Sequence, residues 1–166
     1  MDIDWKSVIA GISAIVSIIA LRVSWWLWRE TNRPIITVEI NADGGNEGIA
    51  YHLVVHNCGN RPAAKIRLSA TSEAKDAALT PNASESAKEQ LYSCFSAKYE
   101  IPLLRHGERI EGGFGTTSRV PVHNELVYGA LIPVAVRYED LVGNTYKTNI
   151  TVVIRDTKAY NDSWYQ

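Results

Sequence analysis

The sequence predicts a mainly β protein, in which an N-terminal transmembrane helix precedes an antiparallel two-sheet β-sandwich with a short helical insertion. Three observations carry this expectation. An uncharged apolar run near the N-terminus is bracketed by tryptophans. Apolar and polar residues then alternate with period two through roughly six or seven stretches. Clusters of Gly, Asn, Asp and Pro separate those stretches and supply turn chemistry.

The helix comes first. Trp5 opens the apolar run, and Trp25, Trp26 and Trp28 close it. Trp5 and Trp25 are roughly 30 Å apart at ~1.5 Å per helical residue, which matches the hydrocarbon core of a bilayer. Tryptophan suits the membrane–water boundary because its ring is apolar and its N–H needs a partner. Val8 to Leu21 carries no charge. Lys6 at one end, and Arg22 and Arg29 at the other, can lay their stems along the helix and reach headgroups. Trp5, Arg22, Trp25, Trp26, Trp28 and Arg29 therefore read as the membrane-interface set, with lipid as a partner. The start lacks the basic region of a cleaved signal peptide. Arg22, Arg29 and Arg33 follow the core, against Glu30 alone, whereas Asp2, Asp4 and Lys6 precede it. The arginine excess predicts the N-terminus outside and the following domain in the cytosol. Residues 1–33 form the anchor and its exit.

One face of this helix is lined with small residues. Ala10, Ser13, Ser17, Ala20 and Ser24 recur at steps of three and four, with Ala14 beside them. Such a stripe lets backbones approach closely in lipid and lets serines bond across helices. The expectation is a homo-oligomer or a subunit of a membrane complex.

Residues 34–157 form the sandwich. Ile36, Val38 and Ile40 alternate with Thr37 and Glu39; Tyr51, Leu53 and Val55 alternate with His52, Val54 and His56. The same pattern holds at Ala64–Ala70, Ile132–Tyr138 and Tyr146–Ile154, and a further strand is expected from Glu108 to Phe114. Asp43–Asn46, Asn57–Pro62 and Glu139–Asn144 supply turns. Glu139 and Asp140 read as a solvated turn. The helical insertion is expected over about 84–95, with Ala87, Leu91 and Cys94 on its inner side. A tail, 158–166, ends in Trp164 and Tyr165.

Three segments carry a resemblance. Asn57-Cys58-Gly59-Asn60-Arg61-Pro62-Ala63-Ala64-Lys65-Ile66 resembles the turn-and-strand of bacterial immunoglobulin-like modules. Ile101-Pro102-Leu103-Leu104-Arg105-His106-Gly107-Glu108 resembles the lead-in to a later strand of those modules, and Tyr138–Tyr146 resembles their closing hairpin. With the preceding anchor, the chain looks like small, uncharacterised bacterial single-pass membrane proteins with an immunoglobulin-like domain. The resemblance implies an immunoglobulin-like sandwich at the bacterial inner (plasma) membrane. Its motifs are turn chemistry and imply no activity. Glu73 to Tyr99 departs from the pattern.

Charge and chemistry narrow the function classes. Outside residues 1–33 the chain holds 13 basic and 15 acidic side chains. A duplex-binding domain carries a basic excess, so no nucleic-acid partner is expected. Cys58 and Cys94 are expected as free thiols in the cytosol; an exported domain would permit a disulfide. His52 and His56 lie about 13 Å apart along a strand at ~3.3 Å per residue, too far to share one ion, so no metal is expected. Gly112, Gly113, Gly115, Thr116, Thr117 and Arg119 form a candidate anion loop that lacks the lysine and helix of a P-loop. His106 and His123 stand without a nucleophile at a recognisable spacing. Lys65, Arg67, Arg137, Lys147 and Arg155 point outward from strands and read either as a basic patch or as solvated faces. The expected function is a membrane-anchored, non-enzymatic interaction module, without a cofactor, that binds a protein partner. The alternative is a sensor or effector whose soluble domain binds a small anionic ligand and changes helix packing.

Overall fold

A computed structural model describes residues 5–44, 48–96, 98–118 and 124–155. The chain divides into two compact units, residues 1–33 and 34–166. The first unit is one helix, α1 (Trp5–Thr31), 27 residues long and without a buried residue. It is long and apolar enough to cross a membrane. Its end is capped by Asn32, whose side-chain amide donates to the Trp28 carbonyl at 2.8 Å. Pro34 then forbids continuation, because it has no N–H and disfavours helical backbone at Arg33.

The second unit is mainly β. One sheet has the order β1 (Ile36–Gly44), β2 (Gly48–Asn57), β5 (Arg109–Ser118). The other has the order β4 (Ile101–Leu104), β3 (Ala63–Ala70), β6 (Leu131–Asp140), β7 (Thr145–Val153). All pairings are antiparallel. Two helices lie between β3 and β4: α2 (Ser72–Ala77) and α3 (Glu85–Cys94).

Alternation places the core. Ile36, Val38, Tyr51, Leu53 and Val55 from the first sheet share one buried cluster with Ile66, Leu68, Ile132, Val134, Val136 and Val152 from the second. Each side chain of this size contributes about 1.5–3 kcal/mol when fully buried. Val54 breaks the alternation: it is buried on the opposite face of the central strand, in register between Glu39 and Glu111.

Helix α3 follows a cap and a stripe. The Ser84 hydroxyl accepts from the Ala87 N–H at 3.1 Å, and Ala87 and Leu91 are buried. Helix α2 is an addition to the sequence expectation; Thr71 caps it by accepting from the Ala74 N–H. At six residues it is too short for an apolar stripe to show.

Two expectations are corrected. Gly112 to Ser118 is strand, not loop: β5 runs past Phe114 to Ser118. Asp140 is not a solvated turn residue; it is 6% exposed and anchors the turn it precedes. Arg119, His123, Gly45, Asn46 and the tail 158–166 lie outside the described residues.

Candidate functional site

Two glycines of the expected anion loop, Gly113 and Gly115, have a packing role. β5 slips register against β2 between Tyr51 and His52, so Phe114 is an extra residue and is fully buried. A Cβ at Gly113 would meet the Gln90 amide of α3 at 2.5 Å, and one at Gly115 would meet Leu126 Cδ1 at 2.7 Å. Gly113 and Gly115 thus make room for α3 and Leu126, whereas a Cβ at Gly112 would meet nothing. The Thr116 hydroxyl donates to Glu125, and the Thr117 hydroxyl donates to Tyr51.

His52 and His56 take different partners, and so do the two cysteines. His52 Nε2 stands 3.5 Å from the Asp43 carboxylate. His56 Nδ1 meets Cys58 Sγ at 3.2 Å, with the Thr37 hydroxyl 3.4 Å from the same sulfur. The two thiols are free. Cys94 Sγ points to the Gly113 carbonyl, while Cys58 follows the strand end that pairs with Arg109. Four residues of β5 separate these places, about 13 Å at ~3.3 Å each, which is too far for a disulfide in this fold. Burial pushes the Cys94 thiol up from its ordinary range.

The outer face of the second sheet holds a row of cations. Arg67 lies opposite Arg137, and Arg137 lies opposite Lys147, across β3, β6 and β7. All three are exposed. Like charges directly opposite destabilise a sheet. Glu100 offsets only one end, bonding Arg67 at 2.6 Å. Lys65 pairs with Glu139 at 2.8 Å; that hydrogen bond and charge hold its ammonium above the ordinary range. Arg155 lies beyond the end of β7 and outside this row.

A cleft of about 730 Å³ opens beside α3. Lys75, Ser86, Gln90, Ser93 and Lys98 line it, with Glu89 on its wall. Lys75 is 8% exposed and has no ion pair among the described residues; its ammonium lies 3.9 Å from the centre of the Tyr92 ring. The Tyr92 hydroxyl donates to Asp76 at 2.6 Å, which pushes the phenol up from its ordinary range. Sequence reading missed this cleft. Its lysines and serines carry no motif, and only the packing of α2 against α3 assembles them.

On α1, Ala10, Ser13, Ala14, Ser17, Ala20 and Ser24 are all exposed. The Ser17 hydroxyl donates to the Ser13 carbonyl at 2.8 Å, which satisfies it within the helix. The Arg29 guanidinium sits 5.8 Å from the Trp25 ring centre. Trp5, Arg22, Trp26 and Trp28 are exposed along the same helix.

Among the described residues, fold and surfaces together define one apolar, membrane-length helix and a mainly β domain of two antiparallel sheets. The chain belongs to the DUF8453 family, described as a domain of unknown function, whose match covers residues 5–161. That match takes in α1 as well as both sheets. Neither a curated protein nor a solved structure matches the chain.

Proposed function

We propose that this chain is a membrane-anchored, non-enzymatic interaction module. α1 spans the inner membrane of a bacterium with its N-terminus outside, and it self-associates or joins a complex along the Ala10–Ser24 stripe. The cytosolic domain is an immunoglobulin-like sandwich. Strand order supports this: with the strands lettered A to G in sequence, the sheets are A-B-E and D-C-F-G, so only the fourth strand has changed sheets from a constant-type domain.

The observation that carries the reading is the row Arg67, Arg137 and Lys147. Aligned cations cost stability unless something offsets them, and an acidic segment of a protein partner does so. A photo-crosslinker in place of Thr145, beside the row, tests it in cells. A discrete adduct lost on Arg137→Glu supports the reading; no adduct, or one indifferent to charge reversal, refutes it. For the stripe, Ala14→Leu with Ser17→Leu reduces oligomer size in detergent; an unchanged size refutes that part.

The cleft favours a second reading, in which the domain senses a small anionic ligand. A lysine only 8% exposed, with no carboxylate partner among the described residues, is a costly arrangement that an anion relieves. Phosphate and nucleotides would raise the domain's melting temperature in the wild type and not in Lys75→Met. No shift with any of them argues against it.

A further inference from the structure

Three turns of the β domain meet at one pole. Pairing of Ile36 with Asn57 puts the start of β1 beside the end of β2, and His56 with Arg109 adds the start of β5. Ala63 pairs with Leu104 and Asp140, which brings in the ends of β4 and β6. The Asn57 amide donates to the Leu104 carbonyl, and the Tyr138 hydroxyl donates to the Pro34 carbonyl, so the two sheets are tied here. The links 58–62, 105–108 and 141–144 therefore share this pole with Pro34.

The 141–144 turn presents apolar side chains where turns are ordinarily polar. Leu141 is 68% exposed and Val142 76%, the latter more than any other large hydrophobic described, those of α1 included. The acid of this turn is folded away: Asp140 accepts from the Val142 and Asn144 N–H groups at 2.9 Å each. Arg61 and Arg105 stand on the neighbouring links, and the Glu108 carboxylate accepts the Arg105 backbone N–H. An apolar tip with arginines beside it is the composition of a membrane-interface contact. Pro34 belongs to this pole and is the residue next to Arg33, so a tether leaving a membrane-embedded helix arrives here.

We propose that Leu141 and Val142 insert into the headgroup–acyl boundary of the bilayer, while Arg61 and Arg105 meet anionic headgroups. The proposal rests on α1 being a membrane anchor. The test uses the full chain with Cys58→Ser and Cys94→Ser, carrying either Leu141→Cys or Leu131→Cys. Leu131 is 60% exposed and lies at the far end of β6, about 30 Å away at ~3.3 Å per residue. Each thiol receives an environment-sensitive fluorophore, and the chain is reconstituted in vesicles of phosphatidylcholine and phosphatidylglycerol. Co-flotation that survives alkaline carbonate reports the anchor, since a peripheral tip contact does not withstand it; its absence overturns the anchor reading and this one with it. With co-flotation, nitroxide lipids quench the label at 141 about threefold more than at 131, as for a tip in the boundary region. Equal quenching at both positions overturns the insertion and leaves the anchor standing. A blue-shifted label at 141 without lipid quenching also overturns it and assigns the tip to a protein contact.

Discussion

Replacing Asn57 should cost the β domain several kcal/mol, about 4 by the count of its bonds. The side chain is fully buried and uses its whole amide. Nδ2 donates to the Arg61 carbonyl at 2.7 Å and the Leu104 carbonyl at 3.0 Å. Oδ1 accepts from the Gly59 N–H at 3.0 Å and the Ile35 N–H at 3.3 Å. Two of the four bonds are buried and two are partly exposed. An unsatisfied buried group costs ~1–3 kcal/mol and a partly exposed one less, so Asn57→Ala should lose about 4 kcal/mol. For a domain of this size that is a fall of about 15 °C in Tm. Asn57→Asp is the sharper test. It keeps shape and the Oδ1 acceptor, but turns two donations into a carboxylate facing two carbonyls. It should destabilise at neutral pH at least as much as alanine. The assay is thermal unfolding of the full chain in detergent by circular dichroism. Four of the five tryptophans lie in α1, so tryptophan emission would report the wrong unit. A wild-type melting temperature for Asn57→Asp would refute the reasoning.

Further outcomes follow from the same contacts. Burial alone would push the Asp140 carboxyl up, but bonds from Asn144, Val142 and Tyr146 outweigh it and hold the group below the usual carboxylate range. Its stabilising effect is therefore complete above the unfolded value of ~3.9 and is lost as pH falls through the folded one. Asp140→Asn should lower stability at pH 7 and flatten the loss below about pH 4, as acid titrations of unfolding would show. Gly115→Ala drives a methyl into Leu126 and should cost about 1–3 kcal/mol, measured by chemical denaturation. Cys58 is exposed and Cys94 half-buried with its thiol pushed up, so a thiol reagent at neutral pH should modify Cys58 first and Cys94 only as the domain opens. Peptide mapping after timed alkylation checks the order.

The β-strands were legible because period two survives wherever one face is buried. Ile36 and Val38, or Ile132, Val134 and Val136, can be read straight from the chain. The membrane-length helix was legible for an equally local reason, since its apolar run is continuous. What failed to show was long-range. The glycines of β5 looked like a phosphate loop because their occupants, Gln90 and Leu126, are distant in sequence. Asp140 looked solvated because its partners form a turn whose inward fold no alternation records. The cleft at Lys75 depends on helix packing; the outward cations of β3, β6 and β7 were legible, but which of them align, Arg67, Arg137 and Lys147 without Arg155, only strand register fixes.

The sheet edges bear on whether copies of this domain can pair strand to strand. Among the described residues there are four edge strands: β1 and β5 in one sheet, β4 and β7 in the other. β4 is only four residues long and contains Pro102, which has no N–H to offer an incoming strand. The Gly113 carbonyl of β5 is already occupied by the Cys94 thiol of α3. β7 carries the exposed Lys147, and a charge on an edge strand discourages pairing with another copy. Edge pairing between copies is thus hindered at β4, β5 and β7, whereas β1, nine residues long and without proline, is the edge where it would start.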